Sequence, residues 1–215
     1  MSQIQFLDWL PTLLEGLKVT LLSSLIAIVT SVLVGSLVAI LVAYNNKFLS
    51  AVMRVYISIF RNTPLLVILF FLFYGLPMIK IVLPALVCGV VAITLNESAF
   101  VAEIIRGSIK NVPPGEVEAA VSLGLSKTQV VNRLIFPLAF RNSIPILTGQ
   151  SSVIIKDTSL FSLIMVMDLM RAGSAFYEKY LNSVSIWVIA FIYIAIFLLI
   201  TQIGRILEKK AMVRR

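Results

Sequence analysis

The chain contains no histidine and a single cysteine, Cys88, among its 215 residues. An intrachain disulfide is therefore impossible, and zinc or haem sites, which depend on these two side chains, are not expected. A Ser-His-Asp triad is excluded because there is no histidine. The sequence also lacks a GxxxxGK[ST] phosphate-binding loop, so we do not expect this chain to hydrolyse ATP or to hold a cofactor of its own.

Charged residues are scarce as well. They make up only 13% of the chain, whereas 60% is hydrophobic and the mean hydropathy is +1.03. This composition predicts an integral membrane protein. The net charge of +8 does not indicate nucleic-acid binding, because no basic run is interleaved with the aromatic residues that a stacking platform needs.

Five apolar segments predict an all-α integral membrane fold with five transmembrane helices in one domain, residues 1–215. A span needs about 20 apolar residues. The fourth segment contains Arg141, Asn142 and Pro145, so we expect it to be kinked and packed inside protein. Residues 2–10 are expected to form a short interfacial helix. The predicted spans cover residues 17–44, 52–78, 81–108, 130–155 and 180–207.

The distribution of basic residues predicts the orientation of the chain. Cytoplasmic loops of membrane proteins carry an excess of Lys and Arg. With the N-terminus outside and the C-terminus in the cytoplasm, five basic residues would lie outside and Arg61 is unassigned. The other twelve of the eighteen fall on the cytoplasmic side: Lys47, Arg54, Arg106, Lys110, Lys127, Arg133, Arg141, Arg205, Lys209, Lys210, Arg214 and Arg215.

The polar segment between the third and fourth spans predicts two short helices with a tight stop between them. Pro113 cannot continue the preceding helix. Gly124 is expected to stop the first short helix in a left-handed conformation. Ser126 and Gln129 have the spacing of a capping box that begins the second. The pattern is that of a docking element or of an amphipathic loop on the bilayer surface. The apolar side of the segment is expected to comprise Val117, Ala120, Val121 and Leu125.

The spacing within this segment resembles the EAA loop of ABC-importer permeases. That pattern is EAA, three residues, Gly, nine residues and Ile-x-Leu-Pro, and in this chain Leu134 and Phe136 replace the Ile and Leu. Three further stretches, in the same order along the chain, are similar to permease subunits of polar amino-acid ABC importers. They are Arg61 to Leu66 with the aromatic run to Pro77, Ser98 to Gly107, and Lys156 to Leu160.

The resemblance implies the MetI-like permease core of a type I ABC importer in a bacterial inner membrane. It implies a dimer of this subunit with itself or with a homologous permease. The other implied partners are an ABC ATP-binding subunit, which binds ATP and Mg, and a periplasmic or lipid-anchored amino-acid-binding protein. Residues 111–133 would be the cytoplasmic coupling loop, in which the residues expected to engage the ATP-binding subunit are Glu118, Ala119, Ala120, Gly124 and Leu125.

Polar residues at membrane depth are candidates for the substrate path, because an ionisable group there costs several kcal/mol unless it is paired or solvated. Glu97 either lines the path or is a structural partner between helices. Arg61 meets either a substrate carboxylate or lipid phosphate. Asp157 is either a substrate or gate residue or the partner of Lys156. The candidate set is Arg61, Asn96, Glu97, Ser98 and Asp157.

Two further expectations concern neighbours of these residues. Glu103 and Arg106, three residues apart on one helix, are expected to form a local salt bridge. Pro64 is expected to weaken the preceding helix turn and to free backbone groups near Arg61.

These observations predict a permease subunit of an ATP-driven importer of polar amino acids. Glu97 and Asp157 favour a basic one, since each carboxylate would attract a cation. Two alternatives stay open at this point. A secondary transporter would ordinarily have more spans and internal repeats, and a non-transporting membrane assembly subunit would not need polar residues in its third and fourth spans.

Overall fold

A computed structural model describes residues 3–43 and 46–212, and the backbone there is almost entirely helical. Short π-helical and 3-10 turns connect several of the helices. The helices are α1 (Gln3–Ala43), α2 (Lys47–Asn62), α3 (Leu65–Phe70), α4 (Ala85–Lys110), α5 (Pro114–Ser122), α6 (Lys127–Val130), α7 (Phe136–Asp157), α8 (Leu169–Tyr180) and α9 (Val184–Met212).

The central helix is α4, and α1 runs parallel to it in close contact. The Thr30 and Thr94 hydroxyl oxygens are 2.7 Å apart. Farther along both helices, a Cβ on Gly35 would lie 2.6 Å from the Ser98 carbonyl oxygen. Only glycine allows the two backbones to approach this closely. The small residue at this crossing therefore sets the distance between α1 and α4.

The second predicted span is broken. Asn46 caps the start of helix α2: its side chain accepts a hydrogen bond from the Leu49 amide (3.1 Å). The helix ends at Asn62. The chain then bends by 101° before Leu65–Ile79. Pro64 explains the position of the bend, because proline has no N–H to donate and disfavours helical conformation in the residue before it.

Helix α7 ends inside the helical bundle. The Lys156 ammonium lies 5.5 Å from the centroid of the Phe197 ring, in the middle of α9. A 3-10 turn, Thr158–Ile164, follows α7. Helix α8 then runs along the first half of α1: the Leu169 amide donates to Thr20 Oγ1 (3.0 Å) and the Trp9 indole donates to the Ala172 carbonyl (2.9 Å). These two hydrogen bonds hold the start of α8 against α1.

Three helices in the described part of the chain are long and apolar enough to cross a membrane: Gln5–Ala43, Ala85–Lys110 and Val184–Ile206. The bent pair of α2 with Leu65–Ile79 makes a fourth. Helix α7, which carries Arg141, Lys156 and Asp157, is not among the helices that are long and apolar enough to cross a membrane. The number of five spans and their boundaries therefore stay predictions.

One local prediction is wrong. The interfacial helix expected at residues 2–10 is not separate, because α1 continues from Gln3 to Ala43 with Pro11 inside it. A proline near the start of a long helix is tolerated when the carbonyl that loses its partner faces polar surroundings. Residues Ser2, Tyr44, Arg214 and Arg215, and the side chains of Lys209 and Lys210, lie outside the part of the chain that the structure describes.

Candidate functional site

A cavity of about 670 Å³ opens between the end of α1, helix α2 and the second half of α4. Four cationic side chains and one carboxylate line it, so its wall carries a surplus of positive charge. We call it the basic cavity. Its lining residues are Val42, Ala43, Arg54, Ile57, Ser58, Arg61, Asn62, Glu103, Arg106, Ile109 and Lys110.

Glu103 lies between two arginines on the wall of the basic cavity. The Arg106 Nε donates to Glu103 Oε2 (2.8 Å), and its Nη2 contacts Oε1. The Arg61 Nη1 is 3.8 Å from Glu103 Oε1, and its guanidinium carbon lies 5.2 Å from the centroid of the Phe100 ring. The predicted salt bridge between Glu103 and Arg106 is confirmed. The side chain of Arg61 is 38% exposed.

Asn96 does not line the basic cavity. Its side chain is buried, and its Nδ2 donates to the Phe60 carbonyl (2.6 Å) and to the Thr63 carbonyl (3.2 Å). Both acceptors lie at the bend between α2 and α3. Pro64 frees the Phe60 carbonyl, as the sequence predicted, and Asn96 supplies the missing donor.

Glu97 is sealed between α4 and α7, with only 2% of its surface exposed. The Gln150 Nε2 donates to its Oε2 (2.5 Å). Sequence reasoning missed Gln150, although it is a polar residue in the span predicted to pack inside protein. An unpaired carboxylate is costly to bury, which explains why α7 brings a donor to this position.

The two remaining path candidates lie apart from the basic cavity. The Ser98 hydroxyl is fully buried and lies 2.7 Å from the Tyr56 hydroxyl, between α4 and α2. Asp157 is the last residue of α7 and is half-buried. Of the five candidates for the substrate path, only Arg61 lines the basic cavity.

The polar segment folds as the sequence predicted. Helix α5 ends at Ser122, and Gly124, two residues beyond it, has φ of 79°. The Gly124 amide donates to the Val121 carbonyl (2.9 Å) and the Leu125 amide to the Ala120 carbonyl (3.2 Å). This pair of bonds is a Schellman motif. Ser126 and Gln129 form the predicted capping box at the start of α6. From there a π-helical turn, Val131–Ile135, leads into α7.

The surface of α5 is divided into two faces. Ala120 is buried, and Val117 and Leu125 are half-buried, as expected for the apolar side. The prediction is wrong for Val121, which has 55% of its surface exposed, and Leu123 beyond it is 83% exposed. We call Val121 and Leu123 the coupling ridge. Glu116, Glu118 and Ala119 are exposed beside it.

The chain belongs to the family described as binding-protein-dependent transport system inner membrane component, whose family model matches residues 31–213. It is therefore a multi-pass membrane component of a transporter rather than an enzyme.

Curated relatives match nearly the whole chain. It is 33% identical over 212 residues to the glutamine transport system permease protein GlnP of Escherichia coli K12, covering 94% of this chain and 97% of that protein. It is 32% identical over 205 residues to the probable amino-acid permease protein YxeN of Bacillus subtilis, covering 87% of this chain and 91% of that one.

Two solved structures share the fold. The crystal structure of an amino acid ABC transporter with histidines superposes with a TM-score of 0.92 at 31% identity, covering 98% of this chain and 99% of the other. An inward-facing MetNI methionine ABC transporter superposes with a TM-score of 0.83 at 17% identity, again over 98% and 99%. The MetI-like permease fold of type I ABC importers is thereby established for this chain.

Proposed function

We propose that this chain is the permease subunit of an ABC importer for polar amino acids and that its substrate passes along the basic cavity. The observation that carries the proposal is Arg61 on the cavity wall, part-exposed and held by Phe100 and Glu103. A guanidinium in a fixed orientation matches the carboxylate that every α-amino acid carries. The cavity of about 670 Å³ has ample room for one amino acid.

The charge of the basic cavity favours a polar, uncharged amino acid over a basic one. Four cations face one carboxylate there, and Glu103 is already engaged by Arg106. A second cationic group on the substrate would be repelled. Glu97, which motivated the expectation of a basic substrate, is buried and does not line the cavity. The names of the glutamine permease and of the amino-acid permease among the relatives support an amino acid as substrate.

The coupling ridge is the proposed contact with the ATP-binding subunit. Val121 and Leu123 are exposed apolar side chains, and Glu116 and Glu118 are exposed near them. The complementary surface on the partner is an apolar groove with a basic rim. The Schellman stop at Gly124 fixes the direction of α5 relative to α6 and therefore to α7. Movement of the ATP-binding subunits is transmitted along this path into the membrane.

The other proposed elements follow from the family. The permease works as a dimer, with itself or with a homologue, and receives its substrate from a periplasmic or lipid-anchored binding protein. ATP and Mg bind to the partner subunit. The proposed orientation, with the N-terminus outside and the C-terminus in the cytoplasm, is supported by the distribution of basic residues along the sequence.

The test is ATP-driven uptake by proteoliposomes that contain the complete importer. L-glutamine, L-arginine and L-histidine are supplied in radiolabelled form. We expect glutamine to be carried best, and we expect Arg61→Gln to reduce its uptake on the order of tenfold, since hydrogen bonds to charged groups contribute about 1.5–3 kcal/mol. Lys47→Gln, which removes a positive charge at the exposed start of α2, is the matched control and should transport normally. Unchanged uptake by a well-assembled Arg61→Gln importer contradicts the proposed path.

A further inference from the structure

We propose that Asn96 is a positioning residue that clamps the bend between α2 and α3 and thereby fixes Arg61 on the wall of the basic cavity. The proposal rests on the proposed function, because Arg61 is the ligand-facing residue whose position is set. It assigns Asn96 to the helix bend and not to contact with the substrate.

The Phe60 and Thr63 carbonyls are among the backbone carbonyls that the bend leaves without helical partners. In a regular helix the amide of residue 64 would donate to the Phe60 carbonyl, but Pro64 has no N–H. The Thr63 carbonyl would normally receive the Val67 amide, which instead donates to the Pro64 carbonyl (2.9 Å). A buried carbonyl without a donor costs about 1–3 kcal/mol. These two carbonyls are part-buried, so a donor from another element stabilises the bend.

Local side chains do not supply these donors. The Asn62 Nδ2 donates to the Ser58 carbonyl (2.7 Å), and the Thr63 hydroxyl donates to the Ile59 carbonyl (2.8 Å). Both bonds turn back into α2. The Nδ2 of Asn96 reaches both freed carbonyls from α4 and is buried there. One amide group on the central helix thus satisfies both the Phe60 and the Thr63 carbonyl.

The same face of α4 holds Arg61 at both ends. The Phe60 carbonyl belongs to the peptide group that joins Phe60 to Arg61, so the bond from Asn96 fixes the backbone from which Arg61 extends. Farther along α4, Phe100 and Glu103 contact its guanidinium. Positions 96, 100 and 103 follow helical spacing and share one face. Loss of the Asn96 bond releases the backbone while the guanidinium contacts remain.

The clamp is tested first by the geometry of the bend. Spin labels are attached to cysteines at the exposed positions Val52, on α2, and Val67, on α3, in the full-length subunit with buried Cys88 replaced by alanine. We expect a narrow distance distribution with native Asn96 and a broadened one in Asn96→Ala. Asn96→Asp should broaden it as well, because a carboxylate accepts where a donor is required. An unchanged distribution in both variants overturns the clamp.

Thr94→Val is the matched control for this measurement. It removes a hydrogen bond from α4, the one to Thr30, but on the face that packs against α1. The distance distribution should stay as narrow as in the native subunit. Broadening of the same size in Thr94→Val would show that any weakening of α4 loosens the bend, and the specific role of Asn96 would be overturned.

The positioning of Arg61 is tested by ligand discrimination. Binding of L-glutamine and of its α-amide is measured on the purified complex of permease and ATP-binding subunit. The native complex should prefer the free carboxylate, and Arg61→Gln should abolish that preference. Asn96→Ala should reduce the preference at least fivefold, and the double variant should reduce it no further than Arg61→Gln alone, since the two act as one unit.

Each result has a separate consequence. A structural role alone would weaken binding of both ligands equally in Asn96→Ala, and the positioning of Arg61 would then be overturned. If Arg61→Gln keeps the native preference, or if the native complex has none, the assignment of Arg61 in the proposed function is wrong. The role of Asn96 at the bend is then tested by the distance distribution between the spin labels alone.

Discussion

Gly124 meets a backbone requirement that other residue types meet only at a cost. Its φ of 79° lies in the left-handed region, which β-branched residues rarely adopt. The carbonyls at the end of α5 are satisfied only because the chain turns in this way. A side chain at this position acts on the direction of α5 rather than on packing, because the space around Gly124 is open.

Gly124→Val is therefore expected to leave the subunit inserted in the membrane but to uncouple it from ATP hydrolysis. A residue held in a disfavoured backbone conformation costs about 1–3 kcal/mol, which is enough to displace the coupling ridge. ATP-driven uptake and copurification of the ATP-binding subunit measure the effect. Gly115→Ala is the control, since Gly115 also has open space around it but no positive φ. Full uptake by Gly124→Val would mean that the segment is not the docking element.

Glu97 and Gln150 separate the contribution of charge from that of packing. We expect Glu97→Gln to leave both uptake and the Tm of the subunit close to native, since Glu97 is sealed from the basic cavity and an amide keeps the shape and the hydrogen bond to Gln150. Gln150→Leu should instead lower stability by about 1.5–3 kcal/mol, because it leaves a buried carboxylate without its donor. Thermal unfolding and uptake of L-glutamine are measured on the same preparations. A tenfold loss of uptake by a folded Glu97→Gln subunit would return Glu97 to the substrate path and contradict the route along the basic cavity.

At the scale of elements, broken helices distinguish this bundle from a set of straight spans. The second predicted span turns by 101° at Pro64. The chain also leaves helical geometry after α7, inside the bundle, before α8 continues along α1. Interrupted helices in transporters place free backbone groups where a polar path runs. In this chain Asn96 donates to the Phe60 carbonyl at the bend. Asp168 caps α8 by accepting a hydrogen bond from the Arg171 amide.

The crossing of α1 and α4 depends on Gly35. We expect Gly35→Leu to destabilise the subunit by about 1–3 kcal/mol or more, because its Cβ would overlap the Ser98 carbonyl and the Val101 side chain. Gly107→Ala, on α4 where no atom lies within 4 Å of a new Cβ, should be nearly neutral. Thermal unfolding of the purified subunits compares the two. A Tm for Gly35→Leu equal to that of the native subunit would show that the helices are not held at this distance.

At the scale of the whole molecule, orientation decides which partners meet which surface. Cysteines introduced at Ser183, between α8 and α9, and at Ser126, before α6, are both on exposed positions. A thiol reagent that cannot cross the membrane should label Ser183→Cys in intact cells and should fail to label Ser126→Cys until the membrane is opened. Native Cys88 is buried and gives little background. The reverse pattern would place the coupling ridge outside and contradict the proposed contact with the ATP-binding subunit.

The sequence by itself determined the class of protein and the local structure of the coupling segment. Apolar segments, the EAA spacing, the stop at Gly124 and the capping box at Ser126 depend on residues close together in the chain, and local backbone preferences decide their conformation. Pro64 likewise predicts a carbonyl without a helical partner, because proline itself has no backbone N–H to donate.

Tertiary structure alone decided which polar residues meet. Asn96, Glu97 and Ser98 are neighbours in sequence, yet they point to the bend, to α7 and to Tyr56 respectively. Gln150 lies 53 positions from Glu97, and no local signal connects them. Arg61 joins Glu103 only because α2 crosses α4 at this point. The direction of a side chain on a buried helix depends on the rotation of that helix against its neighbours, and close packing across the whole bundle sets that rotation.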